Sequence, residues 1–127
     1  MKKRPSEDHL YESGEDYLEA ILILKQKSGT VRPIDIARRF GYSRPSVSRA
    51  VAALRADGLL RPDTGNDLEL TEKGLRLAQK VYERHCFFTQ RLTEAGVDPK
   101  TAEQDACRME HVISDESFEK LKSSFSE

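Results

Sequence analysis

Cysteine is scarce in this chain, long apolar runs are absent, and charge of either sign hardly prevails. The 127 residues carry two cysteines, Cys86 and Cys107, too few for a disulfide framework, so reduced thiols are expected. No apolar run approaches the roughly 20 residues that a membrane-spanning helix needs. The opening Met1-Lys2-Lys3-Arg4-Pro5 is basic but has no hydrophobic segment behind it, and so does not read as a secretory signal. Together these absences point to a cytoplasmic protein with no membrane role. What is present is 37% hydrophobic and 34% charged residues, the balance of a small, largely helical protein or an oligomer subunit. A chain of 127 residues makes one compact unit, or two very small ones sharing a core.

The net charge of −1 conceals a division along the chain. Residues 30–62 hold seven arginines against two aspartates, a local +5, whereas residues 98–127 hold four basic against eight acidic residues, a local −4. A basic middle beside an acidic C-terminal part suggests a polyanion as partner for the first and a cation for the second.

Periodicity predicts a mostly α chain. Ser13 reads as the N-cap of a first helix, about Glu15 to Gln26, with Tyr17, Ala20, Ile21 and Leu24 as its apolar stripe, and residues 1–12 read as frayed. Val31 suits a short strand. Pro33–Phe40 and Arg44–Asp57 read as two helices joined by the Gly41-Tyr42 turn, with Ser43 capping the second. That pair is a helix-turn-helix. Leu59–Pro62 and Leu68–Thr71 flank an Asp-Thr-Gly-Asn-Asp turn and predict a β-hairpin, the wing of a winged helix. A long helix from Glu72 to about Ala95, capped by Thr71, carries Leu75, Ala78, Val81, Tyr82, Phe88 and Leu92 on its apolar side. Asp98 caps a helix reaching about Ile113, and Ser114 caps a last one to about Phe125.

In a helix-turn-helix the second helix enters the major groove with its N-terminal residues on the base edges. Arg44, Ser46, Ser48 and Arg49 are the candidates here. Ser43 and the helix N-terminal amides suit a phosphate, and Pro45 supplies shape and apolar contact. Arg32 adds to the basic stretch, and Arg61 and Asn66 in the wing can reach the backbone or minor groove. A winged helix that binds only protein, with its arginines solvated, is the competing reading; the local +5 favours DNA. One copy of so small a reader covers few base pairs, so a homodimer on a two-fold related operator is expected.

Cys107-Arg108-Met109-Glu110-His111 carries a second chemistry. On a helix, Cys107, Glu110 and His111 stand at i, i+3 and i+4 and share a face, offering a thiol, a carboxylate and an imidazole to a transition metal. Packing is the alternative for the cysteine and the histidine. Asp16 and Glu19 share a flank of the first helix, and His85 lies on the long helix; each by itself also reads as dipole complement, solvated charge or core.

The chain resembles the diphtheria toxin repressor and manganese transport regulator (DtxR/MntR) family over roughly residues 12–125. The resemblance rests on Glu15-Asp16-Tyr17-Leu18-Glu19-Ala20-Ile21, Ser43-Arg44-Pro45-Ser46-Val47-Ser48-Arg49, Leu70-Thr71-Glu72-Lys73-Gly74, Arg84-His85, and the run from Asp105 to Asp115. It implies a winged helix-turn-helix DNA-binding domain, residues 1–73, followed by a helical metal-binding and dimerisation domain, residues 74–127. It further implies a homodimer that binds double-stranded operator DNA when Mn(II) or Fe(II) is bound, as a repressor of metal-uptake genes. Asp16, Glu19, His85, Cys107, Glu110 and His111 match the positions of the family's metal ligands. Asp16 and Glu19 are similar to the manganese-sensing branch, which usually has a carboxylate in place of Cys107. Cys107, Glu110 and His111 resemble the iron-sensing branch, which usually has methionine in place of Asp16. At that branch's ancillary site His85 fits, Glu103 stands where histidine is usual and Thr89 replaces a carboxylate. The resemblance stops short of the SH3-like domain of longer members. By chemistry, carboxylates favour Mn(II) and the thiolate Fe(II), Co(II) or Zn(II); Zn(II), Co(II) or Ni(II) can bind in vitro on affinity alone. Neither a small organic ligand nor an enzymatic activity is expected. A metal-independent winged-helix factor is the alternative, and a hydrolytic metalloenzyme a remote one, since no base stands beside an open metal position.

Overall fold

The computed structural model describes residues 5–125, with side chains from residue 14 onward. Among these residues the regular elements are helices: α1 (Pro5–Ser28), α2 (Pro33–Phe40), α3 (Arg44–Ala56), α4 (Glu72–Glu94), α5 (Pro99–Met109) and α6 (Asp115–Phe125). The chain divides into two compact units, Met1–Gln79 and Lys80–Glu127, the division falling within α4.

The first unit is the helix-turn-helix and its surroundings. Gly41, with φ of +71°, closes α2 in the left-handed region and returns its N–H to the Ala37 carbonyl. Ser43 then caps α3, its hydroxyl accepting from the Ser46 N–H at 3.3 Å. Val47, Val51 and Leu54 are the buried positions of α3, as their spacing predicts. Tyr17 of α1 meets Phe40 edge-on with ring centroids 5.6 Å apart, which packs α1 against the end of α2.

Several expectations need correction. Ser13 is not an N-cap: α1 is already helical from Pro5, so positions 5–12 are helix and not a frayed segment, while residues 1–4 lie outside the described residues. Pro5 suits a first helical position, with Glu7 and Asp8 in the first turn. The about 1 kcal/mol that Gly14 costs inside a helix is outweighed by the burial of Tyr17, Leu18, Ala20, Ile21 and Leu22. The hairpin is reduced to one antiparallel bridge, Leu60 to Leu70, with the Arg61 N–H on the Glu69 carbonyl at 2.8 Å; neither its arms nor Val31 form a strand among the described residues. Arms this short pair once before the turn takes over. Lastly, Leu75 is exposed rather than part of the buried side of α4.

In the second unit Phe88, Ala106 and Phe118 form the buried centre, with Phe87, Met109 and Ile113 packed around it. Full burial of a side chain such as Phe118 contributes about 1.5–3 kcal/mol. Asp98 caps α5 through the Lys100 and Thr101 N–H groups, and Ser114 caps α6 through that of Ser117. Helix α5 stops at Met109, short of the Ile113 expected. Glu110 keeps an α-helical N–H bond to Ala106, but His111 turns to Arg108 in a tighter i−3 bond, and the chain leaves the helix toward the α6 cap.

Candidate metal centre and nucleic-acid interface

The DNA-facing candidates all lie in the first unit. Arg44, Pro45, Ser48 and Arg49 are exposed at the opening of α3. Ser46 is half-buried and occupied locally, accepting from Ser43 Oγ at 3.0 Å and from Arg49 Nη2 at 3.4 Å. A groove of about 520 Å³ runs between α3, the start of α2 and the wing, and Arg32, Arg44, Ser48 and Asn66 line it. Ser43, Pro45, Ser46, Arg49 and Arg61 are outside that lining, at the α3 opening or in the wing. Positive charge on a concave surface is suited to a phosphate backbone.

Arg55 also lines this groove, although it has another task. Its Nε donates to the Arg61 carbonyl at 3.0 Å and its Nη2 to the Gly65 carbonyl at 2.7 Å, so the guanidinium holds the wing loop against the end of α3. Lys25, in the last turn of α1, grips the wing's second arm through Asp67 at 3.3 Å and Glu69 at 3.0 Å. Desolvation pushes the Asp67 carboxyl up, but the Lys25 ammonium, together with a hydrogen bond from the Val31 backbone, holds it below its ordinary value.

The second unit brings three candidate ligands together. Glu110 is 1% exposed, and one of its oxygens lies 3.0 Å from Nδ1 of His85 while the other lies 3.4 Å from Nε2 of His111. The His111 side chain is 2% exposed. Cys107 stands one turn earlier on α5 as a half-buried, reduced thiol. Nε2 of His85 faces a further carboxylate, Glu103, at 3.7 Å. A neutral imidazole has only one N–H, so two carboxylates on its two nitrogens cannot both receive a proton from it. A carboxylate buried between two imidazoles, with a second acid beside one of them, is a donor set that a divalent cation satisfies and an apolar core does not. These residues fit a transition metal.

Asp16 and Glu19 belong to the first unit, three residues apart on α1, Glu19 buried and Asp16 half-buried. A buried acid such as Glu19 is not solvated charge.

Spacing in the sequence singled out Glu110 and His111, but gave no sign of the grip of Arg84. That residue is 7% exposed, and Nη1 donates to the carbonyls of Ile113 at 2.7 Å and Glu110 at 3.4 Å. A signal existed: Arg84 falls on the side of α4 that carries Val81 and Phe88, where an arginine must be paired to be buried.

Known proteins resemble this chain in sequence and fold. Residues 9–64 match the iron dependent repressor, N-terminal DNA binding domain, and residues 71–127 match the iron dependent repressor, metal binding and dimerisation domain. The transcriptional regulator MntR of Escherichia coli is 35% identical over 91% of this chain and 75% of its own length. The iron-dependent repressor IdeR of Mycobacterium tuberculosis is 36% identical over 86% of this chain and 48% of its own. The solved structure of the manganese regulator SloR superposes with a TM-score of 0.75 at 28% identity, covering 87% of this chain and 52% of that one. The chain thus spans three quarters of MntR and about half of IdeR and SloR. With a DNA-binding and a metal-binding half matched in the same order, the chain belongs to the DtxR/MntR family of metal-dependent transcriptional regulators.

Proposed function

We propose that the chain is a cytoplasmic, homodimeric repressor that binds operator DNA when Mn(II) or Fe(II) is held by Asp16, Glu19, His85, Cys107, Glu110 and His111. The observation that carries this is Glu110, a carboxylate buried between two imidazoles on the same chain as a basic helix-turn-helix. The domains divide at residues 73 and 74, the first half reading DNA and the second holding the dimer. Exposed apolar side chains on α6, Leu121 and Phe125, support a face covered by a second copy. In the DNA-reading half, Arg44, Ser46, Ser48 and Arg49 meet base edges, with Pro45 adding shape. Arg32, Ser43, Arg61 and Asn66 meet the backbone. The protein acts by occupying DNA and performs no catalysis.

Asp16, Glu19 and Glu110 carry like charges and repel one another when drawn together. When bound, a divalent cation supplies the charge that makes such a cluster favourable. The acids on α1 and the ligands of the second domain then favour one arrangement of the reader, and DNA affinity rises by population shift. Reciprocity requires DNA to tighten metal binding by the same factor. SloR is described as a manganese regulator and IdeR as iron-dependent. Carboxylates draw this site toward Mn(II), and Cys107 toward Fe(II).

Calorimetric titration with Mn(II), Fe(II) and Zn(II) under reducing conditions tests the site. Saturable binding is expected, with Cys107→Ser lowering affinity for Fe(II) and Zn(II) more than for Mn(II). Unchanged affinities for all three metals in that variant would remove Cys107 from the donor set.

A further inference from the structure

We infer that Arg84 is a positioning residue for the metal-binding turn, indexing Glu110 and His111 to the same stretch of α4 that supplies His85; this rests on the metal site proposed above. Helix α5 ends at Met109, so its last carbonyls have no partner within the helix. Arg84 supplies one. Its Nη1 donates to the carbonyls of Glu110 and Ile113, on either side of His111, and its Nη2 pairs with the Asp115 carboxylate at the start of α6. The guanidinium lies over the Phe118 ring, 5.3 Å from its centroid, which fixes its plane.

Arg84 and His85 are consecutive and leave the helix about 100° apart, yet both end on Glu110. Arg84 takes its backbone oxygen at 3.4 Å and His85 its carboxylate at 3.0 Å. The acid is therefore set in both main chain and side chain by two adjacent residues of one helix. His111, the next residue, starts from a backbone whose preceding carbonyl is held. A solvated arginine has no reason to be buried, and this one closes the helix end on the carbonyl of a proposed ligand. Lysine keeps the charge but lacks the planar fork that serves two carbonyls and a carboxylate at once.

The test uses the full chain with Co(II) as the probe. Arg84→Lys and Arg84→Met are compared with wild type by far-UV circular dichroism, melting of the metal-free protein, and Co(II) affinity and visible ligand-field spectrum. Folded Arg84 variants should bind Co(II) roughly 10- to 100-fold more weakly, the usual effect of losing a group that orients ligands, and should show an altered spectrum. Arg84→Lys should recover part of the loss. Wild-type affinity and spectrum in a folded Arg84→Met chain would overturn the inference. Should both variants fail to fold, Asp115→Asn keeps Arg84 in place and loosens it. A weaker Co(II) complex with a shifted spectrum supports the role, and an unchanged complex overturns it. A wild-type chain that binds no Co(II) would overturn the metal site itself, and this inference with it.

Discussion

Glu110 concentrates the chemistry of this chain, because a carboxylate this buried needs positive or hydrogen-bonding company on every side. Two imidazoles meet its oxygens, and Arg84 holds its backbone. A simpler pair is open to direct titration. The Lys25 ammonium holds the Asp67 carboxyl below the ordinary carboxylate value, so Asp67 should titrate lower in the wild type than in Lys25→Met. Carboxyl-detected NMR across the acid range decides this; the same midpoint in both proteins would contradict the clamp. Since the folded carboxyl is depressed, its contribution to stability is present above the unfolded pKa of about 3.9 and is lost as pH falls through the folded value. The Lys25 pKa is raised: burial lowers it, but the Glu69 and Asp67 carboxylates more than offset that. Its share therefore persists at neutral pH and fails only as pH rises through the folded value. At this scale the sequence was legible where spacing carries meaning, as in Glu110 and His111, whose side chains the fold brings to 3.4 Å. It was silent on Arg55, which holds main-chain carbonyls that no residue pattern encodes, and for Arg84 it marked the burial but not the partners.

The helices were legible mainly through their caps. Ser43, Thr71, Asp98 and Ser114 each accept a backbone N–H at the expected helix start. Where the reading failed, a local signal competed with packing: Ser13-Gly14 has the look of a break, but the buried run that follows keeps α1 continuous. The start of α4 shows how closely elements meet in the first unit. Thr71 donates through its hydroxyl to the Gly58 carbonyl at 2.7 Å and accepts the Gly74 N–H at 3.0 Å. A Cβ at Gly74 would sit 2.1 Å from the Leu59 carbonyl oxygen, a backbone atom that cannot move aside without displacing the wing's first arm. Gly74→Ala should therefore destabilise the chain by about 1–3 kcal/mol, the range for overpacked sites. Urea denaturation measures it. A neutral or stabilising effect, as expected of glycine-to-alanine in an open helix, would show that α4 does not approach Leu59 so nearly.

As a whole, the molecule joins a basic reader to an acidic, metal-binding half, and that division was visible in the charge pattern before any fold was known. Which residues serve each half was partly visible. Arg32, Arg44, Ser48 and Asn66 share a groove, and His85, Glu110 and His111 share a buried cluster. The metal's identity was not, since Asp16 and Cys107 draw in different chemical directions. The central claim is that metal occupancy licenses DNA binding. It is tested most directly by equilibrium affinity for operator DNA, measured by fluorescence anisotropy at one fixed salt concentration, for metal-free and for Mn(II)- or Fe(II)-saturated protein. The account predicts tighter binding with metal by about 5- to 150-fold, the usual span of allosteric coupling. Equal affinity in the two states would contradict it.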